Sequence, residues 1–243
     1  MGAFLLLVYE SIDRVRRISN RFFVFFFQKF HFSGIEHHHV VDFYAKCRDV
    51  CIEYFRRNRP TFGGPGIRVQ CDETYFTRAH GGKGRRVRQH SFWVFGIVEH
   101  GMPASFNRQN LFLGSNLSWF TKVAQRNAPT LKRLIQKYVR PHSSVETDLW
   151  AAYQNMPQLP QQYNHLVVNH SINFVDPITG ANTQTVESKN GQVKEMVRRK
   201  HGIHERVFTS HLREFAWRER FGKRKQVFYH FWHQVATFYP CSN

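Results

Sequence analysis

Ile67–Phe76 reads IRVQCDETYF. Ile67, Val69, Cys71, Thr74, Tyr75 and Phe76 are residues that suit a pleated strand, and the glycine- and proline-rich turn Gly63-Gly64-Pro65-Gly66 stands before them. The run is therefore expected to be a strand. Asp72 falls in its middle, where aspartate is depleted. That one acid sets the question for the rest of the chain, because the 243 residues carry 35 Lys and Arg against 17 Asp and Glu, a net charge of +18.

Upstream, Val40, Phe43, Tyr44, Cys47, Val50, Cys51 and Tyr54 recur at three- and four-residue spacing, so 35–58 is expected to be one helix. Downstream, SFWVFGIVE (Ser91–Glu99) is apolar enough for a central strand. A hairpin at Gly101-Met102-Pro103 and a third strand over Ser105–Leu113 are expected after it. Thr130–Val139 has a buried stripe of Leu131, Leu134, Ile135 and Tyr138 opposite Lys132, Arg133 and Lys137. Ser144–Thr147 and Leu166–Asn169 read as short strands, followed by a turn at 176–180. Helices are expected from Thr183 toward Lys200 and over Phe208–Phe221, with an aromatic, packed C-terminus. The order helix, three strands, helix, two strands, helix gives an α/β domain with a mixed sheet.

Few acids are available, so their positions are informative. Only six aspartates occur, at 13, 42, 49, 72, 148 and 176. Asp148, in VETDLWAAY, stands at a strand end, where it serves either as the cap of a helix over Leu149–Gln154 or as a site carboxylate. Glu187 falls in the first turns of its helix, capped by Thr183 or Thr185, where the macrodipole also favours an acid. Asn190, Lys194 and Arg198 follow it on one face. Three carboxylates on two strands and a helix suit two divalent cations about 3.5–4 Å apart. Hard oxygen ligands select Mg²⁺ or Mn²⁺. The surrounding charge is basic. Segment 77–90 holds Arg78, Lys83, Arg85, Arg86 and Arg88 with no acid, and segment 188–225 sets twelve Lys or Arg against four Glu, a net of +8. Nucleic acid is the partner this pattern favours, ahead of an anionic membrane surface.

Other features carry less. Cys47 and Cys51 are four apart and read as helix packing, in keeping with a chain of four cysteines from a reducing compartment. His37, His38 and His39 read as a solvated helix start. Trp150 and Tyr153 read as core rather than as platforms for bases, and Lys223-Arg224-Lys225 as a basic patch or an import signal. Residues 1–33 form a hydrophobic, arginine-containing leader. Its apolar runs Phe4–Val8 and Phe22–Phe27 fall short of the about 20 residues a spanning helix needs, so no stable membrane insertion is expected. The signal-peptide layout is missing as well, so the chain is not expected to be secreted. Expected boundaries are 1–33, a helix and turn over 34–66, the main domain over 67–222, and a tail over 223–243.

The ordered motifs GGPGIRVQCDETYF, WVFGIVEHG, VETDLWAAY, NHLVVNHSINFVDPITGANTQTVESKNGQVK and HLREFAWRERF together resemble the Merlin superfamily of DDE transposases and its bacterial insertion-sequence (ISXO-like) relatives. The resemblance runs from about Val40 to Arg220. It implies a ribonuclease-H-like fold, Asp72, Asp148 and Glu187 as the metal-binding catalytic acids, and Lys194 as their associated lysine. His165 and His170 are implied nearby in support. Lys83, Arg85, Arg86, Arg88, Asn190, Lys194 and Arg198 are the expected DNA contacts. It also implies DNA cleavage at transposon ends, strand transfer to target DNA, a homo-oligomeric active complex, and residence in a nucleus or, in a prokaryote, the cytoplasm and nucleoid. Relatives usually carry Trp where Asn190 stands and often His where Asn182 stands. A catalytically inactive, domesticated DNA-binding protein on the same fold is the alternative expectation.

Overall fold

A computed structural model describes residues 37–76, 91–100, 117–172, 174–222 and 227–240. Its centre is a five-stranded sheet: β1 (Arg68–Phe76), β2 (Phe92–His100), β3 (Ser118–Val123), β4 (Ser144–Asp148) and β5 (Asn164–Val168), in the order β3-β2-β1-β4-β5. β1–β2 and β2–β3 are antiparallel, while β4 and β5 run parallel to β1. The expected mixed sheet flanked by helices is present. Its third strand, however, is SWFTKV, downstream of the expected Ser105–Leu113, which lies outside the described residues.

Helices cover both faces. α1 (His37–Arg57) precedes the sheet, α2 (Ala128–Tyr138) links β3 to β4, and α3 (Gln184–Arg199), α4 (Glu205–Phe221) and α5 (Val227–Phe238) follow β5. Side chains alternate across a strand. Even-numbered residues of β1, β2 and β4 face α3 and α4, where Phe76, Val94, Phe120, Val193, Phe208 and Leu212 form a closed core. Odd-numbered ones face the α2 side, with Val69, Cys71, Ile97, Leu131, Ile135 and Val145 fully buried. β2 has five consecutive buried residues because helices cover it on both sides.

α2 forms as its sequence dictates. Asn127 Oδ1 accepts from Thr130 N at 3.1 Å and Pro129 stands in the first turn. The helix expected after Asp148 is shorter than anticipated, a single 3₁₀ turn over Ala151–Tyr153. The expected C-terminal tail contains α5 instead, with Val227, Phe231 and Gln234 buried.

The chain divides into two compact units, residues 51–220 and residues 1–50 with 221–243, where the sequence suggested boundaries at 66 and 222. The first contains the whole sheet with α2 and α3. Among the described residues, no helix is long and apolar enough to cross a membrane.

Candidate active site

β1 and β4 pair over only three positions, Arg68 with Ser144, Val69 with Val145 and Gln70 with Glu146. Past that point β1 continues against β2, and β4 continues against β5 as far as Asp148. The two strands diverge just ahead of both aspartates, at Gln70 and Glu146. Asp72 and Asp148 share the face of those two residues, so they stand on the two lips of a fork, under α3.

The base of the fork is laced by side chains. Gln70 is fully buried. Its Oε1 accepts from Thr185 N and Val186 N, each at 3.0 Å, and so caps α3 from β1. Its Nε2 donates to Glu146 Oε2 (3.0 Å) and Asn182 Oδ1 (2.9 Å). Glu146, with 0% side-chain exposure, is paired with Arg68 at 2.9 Å. Thr183 holds the expected cap position, but its hydroxyl turns to side chains. It donates to Glu187 Oε1 at 2.8 Å and therefore accepts from His170 Nε2 at 2.7 Å. His170 lies 3.5 Å from that same carboxylate oxygen.

Burial and the neighbouring charge of Asp148 push the Asp72 carboxyl up to about 6, with Glu187 adding to the effect. Asn190, expected on the DNA-facing surface, is instead buried at 4% exposure and donates from Nδ2 to Asp72 Oδ2 at 2.7 Å. This corrects its assignment as a DNA contact: α3 packs on the sheet along Val186, Lys189, Asn190 and Val193, so the amide points inward. Asn190 Oδ1 has no hydrogen-bond partner. Gly96, the register partner of Asp72, makes this approach possible; a Cβ there would stand 2.9 Å from the Phe120 ring and 3.3 Å from Asn190 Oδ1.

Asp148 Oδ1 accepts from Trp150 N at 3.0 Å, so the capping role expected for it is satisfied by a tight turn. From the opposite face, Thr147 Oγ1 donates to the Asp148 carbonyl (2.8 Å) and accepts from His165 Nε2 (2.9 Å). Burial lowers the pKa of His165 and favours its neutral form. Lys194 and Arg198 are exposed on α3, Arg198 pairing with Glu195 at 2.7 Å. Lys83, Arg85, Arg86 and Arg88 lie outside the described residues.

A fourth acid was not anticipated. Glu73 is raised to about 7, chiefly by burial, and accepts a short hydrogen bond from the Tyr153 hydroxyl. Its position beside Asp72 was the only sequence signal. Gln70, Glu146 and Gly96 also went unnoticed, although each is two residues from a site aspartate or opposite one.

Among the described residues, no three His, Cys, Asp or Glu side chains converge tightly enough to hold a metal ion. The donor chemistry nonetheless suits a hard cation. Asp72, Asp148 and Glu187 offer carboxylate oxygens alone, and the two other acids raise the Asp72 pKa through like-charge repulsion that a cation would relieve.

No curated protein matches the chain. One solved structure that the chain matches is the simian T-cell lymphotropic virus intasome in complex with PP2A regulatory subunit B56 gamma. The match has 13% identity and a TM-score of 0.39, covering 66% of this chain and 52% of that one, so the chain spans about half that protein's length. The sequence model of the ISXO2-like transposase domain matches residues 63–220, from the glycine turn before β1 to the penultimate residue of α4. Matched over more than half its length, with the sheet and all three acids inside the matched region, the chain belongs to the ISXO2-like transposase domain family.

Proposed function

We propose that the chain is a DDE-type DNA transposase, or a protein derived from one, with Asp72, Asp148 and Glu187 holding two Mg²⁺ or Mn²⁺ ions. The observation that carries this reading is the placement of Asp72 and Asp148 on the two lips of the fork under α3, the helix that bears Glu187, with the Asp72 carboxyl raised first by burial and then by the charges of Asp148 and Glu187. Divalent ions held there would activate an attacking oxygen, from water or a DNA 3′-hydroxyl, and offset the charge on the leaving oxygen of a phosphodiester. The chain's own residues prepare the place. Asn190 fixes one oxygen of Asp72. The turn at Trp150 fixes one oxygen of Asp148. Thr183 and His170 orient Glu187. Exposed Lys194 and Arg198 attract the phosphate backbone of double-stranded DNA, both transposon ends and target. The active complex is proposed to be a homo-oligomer working where DNA is kept, in a nucleus or nucleoid.

The test is nicking of supercoiled DNA in Mn²⁺. Wild type is expected to nick, while Asp72→Asn, Asp148→Asn and Glu187→Gln each lose nicking and retain DNA binding. Nicking by all three variants at the wild-type rate would sink the assignment.

A second reading has its own support. Glu187 Oε1 is already engaged by Thr183 and His170, and the three acids do not close into a cage. A domesticated DNA-binding protein would bind DNA in a salt-sensitive manner and fail to nick in either metal.

A further inference from the structure

Four side chains from four separate places stack in a row on the α2 side of the sheet, next to the candidate active site. Tyr75 of β1 tilts on Trp93 of β2, with ring centres 4.8 Å apart. The Arg126 guanidinium lies 4.3 Å from the Trp93 ring centre and 4.0 Å from that of Trp150. Trp150 Nε1 donates back to the Arg126 carbonyl at 3.2 Å. The row is tied to the acids at its Trp150 end. Trp150 N bonds Asp148, while Tyr75, three residues beyond Asp72, lies on the opposite face of β1 from it.

A row built only for packing would be covered, as Tyr153 is at 1% exposure. Its two end rings are open instead: Tyr75 is 43% exposed and Trp150 38%, beside Leu149 at 60%. Large aromatic surface left in water beside acids needs an occupant. A flat π-system is the shape that fits an open indole face, and the cation within the row favours an electron-rich ring attached to an anionic backbone.

We propose that Trp150, backed by Arg126 and Trp93, is a stacking platform for one unpaired base of the DNA strand engaged at the acids. The proposal rests on the DNA reading above, and it adds a position at which that DNA is single-stranded. Tyr75 is the positioning ring at the far end of the row.

The test is fluorescence anisotropy with two labelled oligonucleotides of equal length and charge, one of thymidine and one abasic. Wild type is expected to bind the thymidine strand more tightly. Trp150→Ala is expected to weaken that binding by roughly ten- to a hundred-fold, the size of a single base–aromatic stack, and to leave abasic binding and its salt dependence unchanged. Trp150→Phe is expected to retain most of the preference. Should Trp150→Ala not fold, the wild-type comparison still decides, because equal affinity for the two strands overturns the platform. Equal affinity together with loss of self-association in Trp150→Ala would also overturn it, in favour of a contact between copies of the chain. Base preference in a wild type that never nicks DNA would keep the platform and remove the catalytic reading instead.

Discussion

Asp72, the first of the proposed metal ligands, works against the fold that holds it. A buried carboxyl raised to about 6 binds its proton more tightly folded than unfolded, so its charge at pH 7 destabilises the native state. Replacing Asp72 with Asn is therefore expected to raise the stability of the ion-free protein by about 1–3 kcal/mol. The same change should abolish the rise in melting temperature that Mn²⁺ gives wild type, since an ion bound only by the folded state stabilises it. Melting curves with and without Mn²⁺ check both halves. An unchanged Mn²⁺ response in Asp72→Asn would mean that the ion binds elsewhere. Gly96→Ala acts at the same place by size. The added methyl must displace Phe120 or Asn190, at an expected 1–3 kcal/mol of overpacking, about the cost of one crowded methylene, read as a lower urea midpoint. Asp72 was legible in the sequence because an acid in an apolar strand is a local anomaly. Asn190 and Gly96 were not. Their roles depend on which residue of β2 lies beside Asp72 and on how α3 turns above it, and neither is written in the spacing of their own segment.

At the scale of elements, α3 is the helix whose seating decides whether Glu187 joins the two aspartates. Its start was correctly expected at Thr183, yet its cap comes from Gln70, 115 residues before Thr185 in the chain. A cap supplied from so far away leaves no mark near the helix. Gln70→Leu keeps the size of the side chain and removes the acceptor. It should cost about 2–4 kcal/mol by leaving two buried N–H groups unpaired, measurable in urea unfolding. α3 is also bound to α4 by Lys189, whose ammonium lies 2.5 Å from Glu219 with both side chains about nine-tenths buried. Glu219 further accepts from Ser118 N on β3. Removing one partner, as in Glu219→Gln, is expected to cost about 3–5 kcal/mol, more than the net worth of the intact pair. A double variant, Lys189→Met with Glu219→Leu, should recover some of that loss. Failure to recover any would show that the Ser118 contact matters more than the ion pair. The strands were more legible than these ties, since apolar runs report burial directly. The strand over Ser118–Val123 was the exception, a six-residue run whose place in the sheet is fixed by its pairing with β2.

For the whole molecule, the excess of 18 positive charges is a statement about partners of opposite charge rather than about folding. Individual acids still matter to stability. Burial would raise the Glu214 carboxyl, but the contact with His211 and the charges of Arg218 and Lys200 outweigh it and hold the group at about 2, against an ordinary 4.5. A depressed carboxyl stabilises above its unfolded value and loses that contribution as pH falls from 4.5 toward 2. Glu214→Gln should therefore lower stability at pH 6 by on the order of 3 kcal/mol. The gap between variant and wild type should narrow by pH 3, as urea midpoints at the two values would show.

The early separation of β1 from β4 has a mechanical consequence. Three paired positions join these strands, and none lies between Asp72 and Asp148. Beyond Gln70 and Glu146 the span between the two carboxylates is set by the outer partners of the two strands, β2 and β5. Gln70 and Glu146 act as the rivet of a pair of tweezers whose tips are the aspartates. A positive charge between the tips would offset the influence of Asp148 and Glu187 on Asp72 without disturbing a single ladder bond.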